Sequence, residues 1–265
     1  LLCYAMAFAL GNVLGQSNPD HFDLCQPNYM ITGFHFSKEQ ASTALGAADN
    51  QVKFRINVNY RMLGDKQSQS GLYFGYTQLS FWNAYDKSAP FFDTDYAPEF
   101  FLYVDAGDSW DECQEPPSVS LGVRHESNGL SGDADRAWDR LVVTTHWGRP
   151  SRSLVYGYLS AWYPLRRQNL GELLDHSGYG EVKIVVQNAP REDAVRFGMS
   201  AAARCGGGGR IVNNICFEAF INPFSQTQSD LRWLPSFMVQ YFYGTAENLV
   251  NYQKRASSLR VGLAF

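Results

Sequence analysis

His125 and Ser127 stand two positions apart in the stretch Arg124-His125-Glu126-Ser127-Asn128-Gly129. An imidazole beside a hydroxyl is the pairing that makes serine a nucleophile, because the ring takes the proton as the oxygen attacks a carbonyl. In a helix or an irregular loop, residues i and i+2 rarely point the same way. In a β-strand they lie side by side on one face. The bland alternative for these residues alone is a polar strand end running into an Asn-Gly turn. The segments on either side decide between the two.

In segment 117–127, Val119, Leu121 and Val123 form the apolar parity, and His125 and Ser127 continue it. In segment 135–147, Ala137, Leu141 and Val143 are the apolar set, with Asp139 among them, while His146 falls on the opposite, polar parity as a satisfied polar residue. A short turn joins the two segments, so they should pair antiparallel. A nucleophile, a base and a carboxylate are thereby placed on the apolar face of adjoining strands. Polar groups on such a face are costly unless they satisfy one another or do work. The pattern is that of a Ser-His-Asp hydrolase.

The elements that carry these residues read as strands throughout. Val52, Phe54, Ile56, Val58, Tyr60 and Met62 alternate with Lys53, Arg55, Asn57, Asn59 and Arg61. Phe197, Met199 and Ala201 alternate with polar or small residues, as do Leu259, Val261, Leu263 and Phe265. Noisier segments of the same period lie near 28–36, 71–82, 95–105, 152–163, 178–188, 211–221 and 233–243. The total is about twelve strands, each near the ~10 residues that cross a bilayer at a tilt. Turn-rich stretches separate them, at 86–90, 105–117, 129–135, 166–176, 205–210 and 222–230, and no long helical period interrupts them.

The chain has 265 residues and a net charge of -4, which leaves no electrostatic footprint for nucleic acid. Aromatic residues make up 15%, yet no apolar run approaches the roughly 20 residues of a membrane helix. That combination fits a soluble β-sandwich, as esterase or binding module, or a membrane β-barrel in which alternation hides the hydrophobicity. Aromatics crowded at strand ends (Phe81-Trp82, Trp162-Tyr163, Trp233, Tyr241 and Tyr243) favour the barrel, as does the final Phe265 on the apolar parity. The expected fold is therefore all-β, a single antiparallel transmembrane β-barrel of about twelve strands. Residues 1–10 read either as the remnant of a secretory signal or as an ordinary N-terminal segment, and 11–265 as the barrel. Of the five cysteines, Cys205 and Cys216 flank a glycine run and could face each other across a hairpin, so a disulfide is left open.

Tyr76-Thr77-Gln78 followed by Trp82, Ser88-Ala89-Pro90-Phe91, Tyr96-Ala97-Pro98-Glu99, and His125-Glu126-Ser127-Asn128-Gly129 with Trp138-Asp139-Arg140 together carry a resemblance to the outer membrane phospholipase A family. It implies a bacterial outer-membrane barrel that hydrolyses acyl esters of phospholipids and lysophospholipids and is active as a calcium-bound homodimer. It also implies Ser127 as nucleophile, His125 as general base and Asp139 in the place where the family usually has Asn. Gly129 would supply an oxyanion N–H beside a calcium-bound water. Ca2+ would be held by the carbonyl of Leu130, the side chain of Asp135 and, across the dimer, the carbonyl of Ser88. Asp133 is a further ligand candidate, and a solvated turn is the plain alternative for both acids. Gln78 is implied as a polar contact in the dimer interface. A passive porin or structural barrel is the competing reading, and it has no use for His125, Ser127 and Asp139 on the outward face.

Overall fold

The computed structural model describes residues 27–36, 50–64, 69–105, 117–149, 153–168, 171–188, 195–223 and 235–265. The first six strands are β1 (Tyr29–His35), β2 (Asn50–Gly64), β3 (Gly71–Trp82), β4 (Phe91–Val104), β5 (Ser118–Ser127) and β6 (Ala137–Trp147). They continue as β7 (Val155–Gln168), β8 (Gly180–Gln187), β9 (Arg196–Cys205), β10 (Val212–Asn222), β11 (Ser236–Gly244) and β12 (Ala256–Ala264). Each pairs antiparallel with its neighbour in sequence, and β12 returns to β1 with Tyr29 opposite Ala264, so the sheet closes into a barrel. Closure leaves no edge with unpaired backbone groups, which a lipid environment could not satisfy.

Pleat parity sorts the side chains as the alternation requires. Val119, Leu121, Val123, Leu141, Val143, Phe197, Met199, Val239 and Val261 are all exposed on the outside. Their register partners on adjoining strands are apolar too, for example Leu121 opposite Val143 and Val239 opposite Val261. This continuous apolar exterior is the outside of a membrane-spanning barrel. The aromatic girdle is thinner than the sequence suggests. In Phe81-Trp82 and Trp162-Tyr163, neighbours must take opposite faces, so Phe81 is fully buried inside and Trp162 donates to the Gly178 carbonyl, while Tyr163 faces outward. Trp233 lies outside the described residues.

The inside is filled. Lys53 and Arg260 both donate to the Glu247 carboxylate (3.1 and 2.6 Å), and Lys183 donates to Glu218 at 2.6 Å. Gln240 bridges the two groups, accepting from Lys53 and donating to Glu218. Arg204 pairs with Glu181, Arg124 with Glu99, and Arg140 with Glu126. Such charges tolerate burial only because each finds its counter-ion and hydrogen bonds. The connection after β11 folds back into the barrel, where Ala246, Leu249 and Tyr252 pack with Trp138 and with Leu173 and Leu174 of a short helix, Leu173–Ser177. Asp93 and Asp95 on β4 fasten that segment by accepting the backbone N–H groups of Val250 and Leu249. The helix falls in a stretch that reads as turn in the sequence, and β7 runs on to Gln168 before it.

No disulfide joins Cys205 and Cys216. Cys205 lies opposite Val212 and Cys216 opposite Ala202, so pleat parity sends the two sulfurs to different faces, and both are free.

Candidate active site on the outer face

β5 and β6 are adjoining strands, and their register sets the site. His125 lies opposite Asp139 and Ser127 opposite Ala137. Because Val123, His125 and Ser127 share a parity with the exposed Val119 and Leu121, the pair His125–Asp139 sits on the outer surface. The His125 Nδ1 lies 2.7 Å from Asp139 Oδ1, with the two side chains 44% and 32% exposed. A carboxylate on Nδ1 fixes the tautomer that leaves Nε2 as the proton acceptor, toward the same face that carries Ser127. The sequence motif and the hairpin register together bring these groups into one row.

The turn after Ser127 is held by one side chain. Asn128 is 3% exposed; its Nδ2 donates to the Ala134 carbonyl at 2.9 Å, and its Oδ1 accepts from the Arg136 N–H at 3.0 Å and the Leu130 N–H at 3.3 Å. The Asn128 backbone N–H also donates to the Arg136 carbonyl. Gly129 follows with φ +65°, and a Cβ there would sit 3.0 Å from Cε2 of Tyr96, the β4 residue opposite Ser127. Glycine is needed at that position on both counts. Asn128 as the anchor of the turn is the residue that sequence reasoning missed; its signal was the Asn-Gly pair, read only as a turn.

The candidate calcium donors lie in exposed turns at this same end of the barrel. Leu130 is exposed, and Asp135 follows the one-turn 3-10 helix Gly132–Ala134 that contains the exposed Asp133. The Asp135 Oδ2 accepts from Gln168 at 2.6 Å, and the guanidinium of Arg136 takes the carbonyls of Asp133 and Asp135. Ser88 is in the separate turn between β3 and β4, exposed and followed by Ala89 at φ 42°, whose carbonyl accepts from the Trp82 indole at 2.8 Å. A left-handed non-glycine residue in a turn tied down by an indole is the kind of local strain that collects at functional positions. Among the described residues no cluster of His, Cys, Asp or Glu side chains makes a metal centre. The donors here are instead two carbonyls and one carboxylate, all oxygen, which suits a hard cation such as calcium.

Gln78 shares the outward parity of Phe74 and Tyr76. Its Oε1 accepts from the Tyr76 hydroxyl at 3.0 Å and its Nε2 donates to Ser80 Oγ at 3.1 Å, with Thr94 donating to the same hydroxyl. The polar patch is thus internally hydrogen-bonded. His146 is packed between the rings of Tyr103 and Tyr158 on the inner side, away from the site.

A closed barrel with an apolar exterior, a filled interior and Ser127, His125 and Asp139 on its outer face defines a transmembrane β-barrel protein. The family model "Phospholipase A1" matches residues 21–265. The chain belongs to the phospholipase A1 family. It is 25% identical over 225 residues to a putative phospholipase A1 of Neisseria meningitidis serogroup B, covering 81% of this chain and 54% of that protein. It is 33% identical over 150 residues to phospholipase A1 of Escherichia coli (strain K12), covering 53% of this chain and 49% of that one. The chain thus spans about half the length of these relatives. Outer membrane phospholipase A from Escherichia coli has the same fold, with a TM-score of 0.75, 20% identity and 94% of each chain covered. The Salmonella typhi outer membrane phospholipase dimer with bound calcium aligns with a TM-score of 0.73, 19% identity, and 92% and 93% coverage.

Proposed function

We propose that this chain is a bacterial outer-membrane phospholipase that hydrolyses acyl esters of phospholipids and lysophospholipids at Ser127. The observation that carries the reading is the 2.7 Å contact of His125 Nδ1 with Asp139 Oδ1 on the exterior, in the same row as Ser127. His125 Nε2 takes the Ser127 proton as the oxygen attacks the ester carbonyl, and it returns a proton to the departing glycerol oxygen. In the second half of the same cycle water takes the place of Ser127 as nucleophile: His125 accepts its proton, the acyl–Ser127 bond breaks with the proton passing to Ser127 Oγ, and the fatty acid leaves. Asp139 holds the ring and stabilises its charged form, and the Gly129 N–H stabilises the carbonyl oxygen as charge builds on it. Placement on the outside matters because an acyl ester then reaches Ser127 sideways from the bilayer, with no passage through the filled interior.

The donor set of Leu130, Asp135 and the Ser88 carbonyl of a second copy fits calcium, which when bound would add positive charge beside the oxyanion position. One copy offers too few oxygens for a cation that takes six to eight, so the reading includes an active homodimer in which Gln78 lies at the contact. The test is hydrolysis of a phospholipid by detergent-refolded protein, with calcium and then with a chelator. Ser127→Ala and His125→Ala should each lower turnover by three or more orders of magnitude while leaving the barrel folded. Near-normal turnover in Ser127→Ala would overturn the assignment.

A further inference from the structure

The row that holds the His–Asp pair continues onto a third strand. Asp139 on β6 lies opposite Arg166 on β7, and the ladder is irregular between Asp139 and Arg140, where Leu165 is the extra residue of a bulge. Directly opposed residues in an antiparallel pair share a face, with Cβ atoms about 5 Å apart. Asp139 faces outward, so Arg166 does too, and it is exposed beside the outward Tyr163 and Leu165. Bulges re-aim side chains and recur beside active sites.

The guanidinium of Arg166 has no hydrogen-bond or ion-pair partner among the described residues. The next residue differs, since Arg167 donates to the Gly171 carbonyl. No hydrogen bond or ion pair joins Arg166 to Asp139, whose Oδ1 contacts His125 Nδ1 at 2.7 Å. An unneutralised cation on the outside of a membrane barrel is expensive unless it reaches an anion at the headgroup level. We propose that Arg166 is the anion-recognition element of this site and holds the phosphate of a glycerophospholipid while an acyl carbonyl lies at Ser127. Only the glycerol unit separates ester from phosphate in such a lipid, and the row Ser127, His125–Asp139, Arg166 crosses three adjacent strands. A planar guanidinium matches a phosphate with two parallel hydrogen bonds. The site therefore selects an ester carrying a phosphodiester over a neutral one. The inference rests on the phospholipase reading of Ser127.

The experiment compares the wild type, Arg166→Gln and Arg166→Lys on a phosphatidylcholine and on the diacylglycerol with the same chains, in the same micelles and at saturating calcium. Loss of a charge-assisted pair predicts that KM for phosphatidylcholine rises ten- to a hundredfold more than KM for diacylglycerol in Arg166→Gln, with partial retention in Arg166→Lys. A second arm uses Ser127→Ala protein and measures binding of a short-chain phosphatidylcholine by calorimetry, with and without Arg166→Gln. There the affinity should fall by a similar factor, a readout that needs no turnover. If no sample hydrolyses either lipid but binding still depends on Arg166, the phospholipase reading falls and the anion site stands. Equal changes on both lipids, or a shifted pH profile of kcat on both, would mean that Arg166 acts on Asp139 or on the fold, and would overturn the proposal. So would unchanged phosphatidylcholine binding.

Discussion

Replacing Asn128 by Ala removes the side chain that ties the two ends of the 128–136 turn together. Two strong hydrogen bonds are lost, to Ala134 O at 2.9 Å and from Arg136 N at 3.0 Å, with a weaker one from Leu130 N at 3.3 Å. Each is worth about 1 kcal/mol net, and a buried partner left bare costs more. The residues around Asn128 are mostly exposed, so water can reach the abandoned groups, and the sum stays near 2–3 kcal/mol. The strands keep their ladders, so that cost falls on the turn alone as local opening. At 1.36 kcal/mol per tenfold, exchange of the Arg136 amide should speed up roughly 30- to 150-fold, while amides in the middle of β5 and β6 are unchanged. Gly129 and the Leu130 and Asp135 oxygens ride on the same turn, so turnover should fall at least tenfold and the calcium needed should rise. The assay is hydrogen exchange by mass spectrometry on detergent-refolded Asn128→Ala, with phospholipid hydrolysis measured in parallel. Wild-type exchange at Arg136 together with wild-type turnover would refute the assignment of Asn128 as the anchor.

Asp139→Asn should keep substantial activity and Asp139→Ala should lose much of it, because an amide oxygen can still accept from His125 Nδ1 and hold the tautomer; equal damage in a steady-state assay would show that charge outweighs orientation. Asp135→Ala should raise, in parallel, the calcium needed for activity and for dimerisation, measured by sedimentation across a calcium titration, since a cation shared by two copies links binding to association. Gln78→Ala should weaken the dimer with little change in the turnover of dimers that form, because its hydrogen bonds to Tyr76 and Ser80 shape the exterior patch rather than the Ser127 row. Glu247→Ala strands Lys53 and Arg260 inside the barrel, where loss of a buried counter-ion costs about 3–5 kcal/mol. It should lower denaturant stability and release the segment after β11, so that a conductance step appears in planar bilayers; an electrically silent variant of wild-type stability would contradict the plug.

The parity of each strand is a local property, and the residues themselves determine it. Two positions apart on a pleat is the same face in any sheet, so His125 and Ser127 share a face whatever the rest of the chain does, and it is the face of Val119, Leu121 and Val123. A short turn between adjoining strands left Asp139 only the neighbouring strand to occupy, and the register His125 opposite Asp139 follows. Only tertiary structure decided what fills the barrel. Lys53 meets Glu247 across 194 residues of chain, and no local rule selects that carboxylate, which lies in the connection between β11 and β12, over the interior-facing carboxylates of the strands. Closure of β12 onto β1 and the relative slide of the strands set which polar side chains lie at one depth. The same holds for the segment after β11, whose Leu249 and Tyr252 find a core only because Trp138 and the short helix stand across the barrel. The Cys205–Cys216 hairpin shows the boundary between the two. Sequence proximity suggested contact, but the register between β9 and β10 is fixed by the turn that joins them. With Val212 opposite Cys205, the sulfurs fall on opposite faces, one toward the exterior and one toward the packed interior.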